Sequence, residues 1–214
     1  MNSKKALLAS AASLLLTAIA AQAAEIDMND PRRAVGREDD VRVDAQLVRD
    51  TVSPGSPVAV TYQIQNFTSS TVAIADKLSD ASYDEDDRTI TLTIGAEVPL
   101  DGTMPHMVTI APGERKVLRA AAIPVLTASA VRASASMAPR YVQVKVTILR
   151  DLTPFATLIQ NQSNARAAQL SDDLFNRWME SSDSIYLNAV PVGWSPRDSG
   201  SVDASQRGRA RGGF

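Results

Sequence analysis

Val58-Ala59-Val60-Thr61-Tyr62-Gln63-Ile64-Gln65-Asn66, "VAVTYQIQN", alternates apolar and polar side chains without a break. Successive side chains of a strand point to opposite faces, so this pattern predicts a β-strand with one dry face and one wet face. The stretch before it, Ser53-Pro54-Gly55-Ser56-Pro57, supplies turn chemistry, and Asn66 to Ser70 supplies more on the other side. Working outward, Val41, Val43, Ala45 and Leu47 alternate with Arg42, Asp44 and Gln46, which predicts a neighbouring strand. Val72 and Ile74 begin a short partner strand ending near Lys77. The expected fold is therefore mainly β.

The same period recurs downstream. Ile90, Leu92 and Ile94 alternate with Thr89, Thr91 and Thr93; Val108 and Ile110 precede Ala111-Pro112-Gly113-Glu114, whose Pro-Gly pair predicts a type II turn. Val117 to Ile123 is the expected returning strand. Residues 124–139 are rich in alanine and serine and fit either a long loop or a brief helix. Val142, Val144, Val146 and Ile148 predict a long strand.

Beyond Arg150 the period changes to that of a helix. Thr153-Pro154 reads as a cap and first-turn pair, and Ser171 as a second cap followed by Asp172 and Asp173, which complement a helix dipole. Leu170 is placed to staple against Phe175. Leu174, Phe175, Trp178 and Met179 are expected to form one apolar stripe packing the helix on the sheet. Ile185 to Val192 reads as a last strand, closed by Pro191 and Trp194.

The expected organisation is a signal peptide over 1–23, a flexible N-terminal segment over 24–40, a single domain over 41–194 with a helical insertion at about 154–181, and a disordered Gly/Ser/Arg-rich tail over 195–214. Lys4 and Lys5, the uncharged run Ala6 to Ala21 and the small residues Ala21-Gln22-Ala23 carry the export reading, with cleavage after Ala23. The apolar run falls short of the roughly 20 residues that span a bilayer, so no transmembrane helix is expected in the mature chain. The expected location is periplasmic or secreted.

Composition narrows the function. Without Lys4 and Lys5 the chain carries 20 Lys and Arg against 24 Asp and Glu, a formal net of −4, which disfavours nucleic acid as a partner. The arginines of the tail, Arg207, Arg209 and Arg211, resemble an RNA-binding arginine-glycine segment, but in an exported chain they read as a solubilising tail. There is no cysteine, so no disulfide framework supports the fold.

No Gly-x-Ser-x-Gly and no phosphate-binding glycine loop is present, and His106 is the one histidine. It is read as a surface or turn residue. Met104 and Met107 beside it make a loose soft-metal pattern of little weight.

The acidic run Asp84-Glu85-Asp86-Asp87 fails the EF-hand spacing, with Arg88 and Thr89 where an acid and a glycine are required, and is read as a turn into the Ile90 strand. Two sequons, Asn66-Phe67-Thr68 and Asn161-Gln162-Ser163, are taken as chance matches. No catalytic, cofactor-binding or metal residue is assigned.

Taken together, "VAVTYQIQNFTSSTVAIA", "YDEDDRTITLTIG" and "VTIAPGERKVL" resemble the immunoglobulin-like β-sandwich modules of exported bacterial proteins, over roughly residues 41–149. The resemblance implies an antiparallel sandwich, here with a C-terminal helical segment and a final strand. It also implies a non-catalytic module whose partner is another envelope or secreted protein. Fimbrial chaperones are similar in compartment and size but carry two sandwiches; small Ig-fold proteinase inhibitors are similar in the first half, without a matching reactive loop. An inhibitor-like accessory role, or an enzyme using carboxylates such as Asp84 and Asp86, is the alternative expectation.

Overall fold

The computed structural model describes residues 26–99, 102–128, 137–162 and 168–195. The expected signal peptide, the tail from 196 onward and residues 129–136 of the Ala/Ser-rich stretch lie outside the described residues. The chain is mainly β.

The quoted stretch is a strand, β4 (Val58–Asn66), and its burial alternates as its sequence does. It pairs antiparallel with β2 (Val41–Leu47) on one side and β9 (Arg115–Ala122) on the other; β1 (Arg33–Glu38) completes a four-stranded sheet in the order β1-β2-β4-β9. A larger sheet holds β6 (Ser79–Asp84), β7 (Thr89–Ile94), β10 (Tyr141–Leu149), β5 (Val72–Ala75) and β8 (Met107–Ile110), with β11 (Ser182–Tyr186) and β12 (Val190–Pro191) also paired to β10. A short parallel pair joins β3 (Thr51–Val52) to β13 (Gly193–Trp194).

Between the two large sheets lies one aliphatic core, in which Val43, Tyr62 and Ile64 from one sheet and Ile74, Leu92 and Val146 from the other belong to a single cluster. Burying each such side chain contributes roughly 1.5–3 kcal/mol, which is how a chain without disulfides stays folded.

A second core lies beyond the larger sheet. β5 is buried on both faces: Ile74 points into the main core, whereas Ala73 and Ala75 join Met107, Leu149, Phe155 and Trp178 in the second cluster. A 3₁₀ turn (Thr153–Phe155), α1 (Ala156–Asn161) and α2 (Asp172–Ser181) supply its cover.

Several expectations change. Arg33–Glu38 forms a strand inside the segment expected to be flexible, pairing with β2 over its whole length. Its inward positions are the small Ala34 and Gly36, so no apolar alternation announced it. A Cβ at Gly36 would meet the carbonyl oxygen of Tyr186 at 2.8 Å, so the close approach of β11 requires glycine there.

The larger sheet is mixed rather than antiparallel, because β7 and β10 run parallel. The chain leaves β7, passes through β8 to β9 in the other sheet, and re-enters at β10 from the same end, a crossover long enough for parallel pairing. The Pro112-Gly113 turn has the expected form, with Gly113 at φ 74° and the Glu114 N–H donating to the Ala111 carbonyl at 2.9 Å. It nevertheless leads away from β8: β9 pairs with β4.

The caps divide. Ser171 accepts from the Leu174 N–H as expected, whereas Thr153 caps nothing and its own N–H donates to Asp151 Oδ1 at 2.9 Å. The predicted stripe on α2 also divides. Trp178 and Leu174 face the second core, while Met179 is 47% exposed and Phe175 is half-buried outside that cluster, so Leu170 packs into the cluster without Phe175. At 100° per residue positions 174 and 178 share a row, and 175 and 179 fall on the next. The expected last strand is two, β11 and β12, separated by residues 187–189.

β1 is held at its start by Asp30, whose Oδ1 accepts from the Arg32 N–H at 2.7 Å and from Arg32 Nε at 2.9 Å. The Arg32 guanidinium, then the Arg32 N–H and the Gln46 amide, hold this carboxyl well below the usual carboxylate range. A folded-state value depressed below the unfolded one means the stabilisation is complete above the unfolded value of 3.8 and is lost as pH falls through the lower folded value. Asp30→Asn is therefore expected to lose less thermal stability than the parent on acidification from about pH 4 to about pH 2. Thermal melts across that window check it, and equal losses would remove Asp30 from the acid response.

Candidate functional site

The acidic run forms the β6–β7 hairpin turn, as read from sequence. Asp84 Oδ1 accepts from the N–H groups of Asp86 at 2.9 Å and Asp87 at 3.3 Å, so this carboxylate organises its own turn. Among the described residues no three His, Cys, Asp or Glu side chains converge to hold a metal ion. His106 stands at the surface with Nδ1 2.8 Å from Asp76 Oδ1. Met104 and Met107 are buried in the second core, so their sulfurs serve packing. Asn66 is fully buried: its amide donates to the Ser70 and Ile110 carbonyls and its Oδ1 accepts from Thr68, which leaves no free amide for a glycan.

The surface that gathers chemistry is the outer face of the four-stranded sheet. Because Val41, Val43 and Ala45 point into the core, Arg42, Asp44 and Gln46 point out, and register carries the same face across the sheet. Arg37 lies opposite Arg42, Arg42 opposite Gln65, and Gln65 opposite Arg115. Four positions along, Arg33 lies opposite Gln46, Gln46 opposite Thr61, and Thr61 opposite Arg119. Between those rows sits Asp44, the face's one acid on β1, β2, β4 and β9.

Asp44 is buried and takes bonds from two arginines, Arg33 through Nη2 and Arg42 through Nη2 at 3.1 Å. A buried carboxylate needs such partners, because leaving it unpaired is costly. Arg37 turns to Asp40 at 3.0 Å and lies 6.0 Å from the Phe67 ring centroid. Arg115 and Arg119 are exposed and have no ion-pair partner among the described residues. A cavity of about 240 Å³ opens on this face between Arg42, Asp44, Gln63, Gln65 and Arg115, with Met28 at its edge.

Sequence reading missed this face, since its arginines come from three separate strands and meet only through register. The outward alternation of β2 and β4 was visible; the pairing of β9 with β4 was not. Tyr62, by contrast, was singled out only as a strand residue and lies fully buried in the core. Its hydroxyl has no hydrogen-bond partner among the described residues, and burial, with Asp76 adding, pushes its ionisation upward.

Fold and site define a mainly β protein with two large sheets, one of which presents an arginine-lined face. Comparison of the chain with protein-family models, with curated proteins and with solved structures returns no match.

Proposed function

We propose that this chain is a non-catalytic protein-interaction module of the periplasmic or secreted compartment, built on an Ig-like sandwich, and that it docks a partner on the outer face of its four-stranded sheet. The observation that carries the reading is the pair Arg115 and Arg119, exposed and without acidic partners among the described residues, beside a polar basin. Arg37 and Arg42 lie opposite one another but turn to Asp40 and Asp44, whereas Arg115 and Arg119 have no such acid among the described residues. An acidic surface on another envelope or secreted protein would complement it, and arginine's planar fork suits carboxylates. The export-like start of the sequence and two sheets sharing one core support the compartment and the Ig-like reading.

The test uses the chain as bait in envelope extract, beside Arg115→Glu with Arg119→Glu. Both side chains are exposed, so the variant is expected to melt within about 1 °C of the parent, as surface substitutions do. A protein retained by the parent is expected to be lost at least tenfold in the variant, the equivalent of about 1.4 kcal/mol. Equal retention would remove this face from the reading. Turnover of a substrate, abolished by His106→Ala, would overturn the non-catalytic assignment itself.

A further inference from the structure

The opposite end of the sandwich carries a second, apolar surface. A cavity of about 180 Å³ opens there, lined by residues that include Leu47, Val48, Val52, Val58, Val142 and Val192. Around it stand side chains with no cover: Val48, Ile123, Val125 and Tyr141 are all exposed, Val125 at 82%. Ile123 follows Ala122, which pairs with the cavity residue Val58. The loop carrying Val125 is tied at Thr127 to Glu85 of the acidic turn. Beside the apolar rim therefore lie Asp86 and Asp87, neither with an ion-pair partner among the described residues.

The last described residue, Ser195, sits at this same rim, its N–H donating to the carbonyl of the cavity residue Val52 at 2.9 Å. Val192 donates to the Arg140 carbonyl, and Arg140 donates to the Arg88 carbonyl at the root of the acidic turn. The turn thus begins two strand spacings, about 10 Å, from Val192. From 196 the sequence continues to 214 and carries Val202, Arg207, Arg209, Arg211 and Phe214.

We propose that this C-terminal segment docks in cis across the rim, its arginines on Asp86 and Asp87 and its apolar side chains over Ile123, Val125 and the cavity mouth. Two features select this occupant: its charge is complementary, and it departs from the surface it would cover. About a dozen residues separate Ser195 from Arg207, and at about 3.4 Å per extended residue they reach roughly 40 Å, well past the turn. Tethering at an effective concentration near millimolar means that weak ion pairs need only be joined by modest apolar burial, from Val202 and Phe214, to populate the contact. The segment then acts as a cover for an apolar end that no other described residue protects.

The absence of cysteine allows a single nitroxide at Ser205→Cys on the full chain. At low ionic strength the amide signals of Asp86, Asp87, Val125 and Thr127 are expected to broaden at least about threefold more than in 1 M salt, where the screening length falls to about 3 Å. Arg207→Gln with Arg209→Gln and Arg211→Gln should abolish that difference. So should Asp86→Asn with Asp87→Asn, which leaves the turn-forming Asp84 in place. Broadening that ignores salt and both variants would overturn the proposal. Broadening that appears instead on an isotope-labelled, nitroxide-free chain mixed with an unlabelled nitroxide chain would also overturn it, placing the contact between two copies.

Discussion

Trp178→Ala is expected to lower the stability of the whole fold by about 3–5 kcal/mol, the usual cost of emptying a buried aromatic site. The indole is 1% exposed and meets the Phe155 ring edge-on, with centroids 5.6 Å apart. Its Nε1–H donates to the Ala96 carbonyl at 3.0 Å, which ties α2 to the segment after β7. Domains hold only about 5–15 kcal/mol in all, so one substitution removes a large share. Trp178→Phe keeps most of the ring packing and loses the hydrogen bond, and is expected to cost less, about 1–3 kcal/mol. Denaturant or thermal unfolding of the two variants beside the parent measures the order. An unshifted transition in Trp178→Ala would mean that the helices are an appendage and that the two large sheets fold without them.

That second core shows how far periodicity reaches. The position of Trp178 in an apolar stripe was readable from residues 174–179, and so was the Ser171 cap. Which half of the stripe is buried was not, because Met179 and Trp178 are equally apolar and only the angle of α2 over β5 and β10 separates them. The same holds for the sheets. β2, β4, β7 and β10 were legible because apolar residues, mostly valine, isoleucine and leucine, fill every second position. β6 was hidden, since Ala81 and Tyr83 are its only inward apolar residues and serine and aspartate fill the rest. Alternation says that a residue faces in or out, not which strand lies beside it or in which direction, so the parallel β7–β10 pair had no local signal. The arginine face combines both cases: Arg42 was correctly placed on a wet face, whereas its gathering with Arg115 and Arg119 depends on β4 lying between β2 and β9.

Gly95→Ala is expected to cost about 2–5 kcal/mol, through two additive causes that a second variant separates. Gly95 directly follows β7 at φ 88°, where an L side chain clashes with its own backbone at a cost of roughly 1–2 kcal/mol. It also lies against β10: a Cβ there would stand 2.4 Å from the Thr147 carbonyl oxygen, a backbone atom that cannot turn aside. Relieving that clash means moving β7 from β10, the strand to which β5, β11 and β12 also pair, and overpacking of this kind costs roughly 1–3 kcal/mol more. Gly113 shares the conformational demand at φ 74° but has nothing within 4 Å of its would-be Cβ. Gly113→Ala should therefore show the conformational cost alone, about 1–2 kcal/mol. The difference between the two variants in urea unfolding isolates the contact with Thr147. Were Gly95→Ala no worse than Gly113→Ala, the strands would have room to part, and β10 would not be the rigid centre on which the larger sheet is assembled.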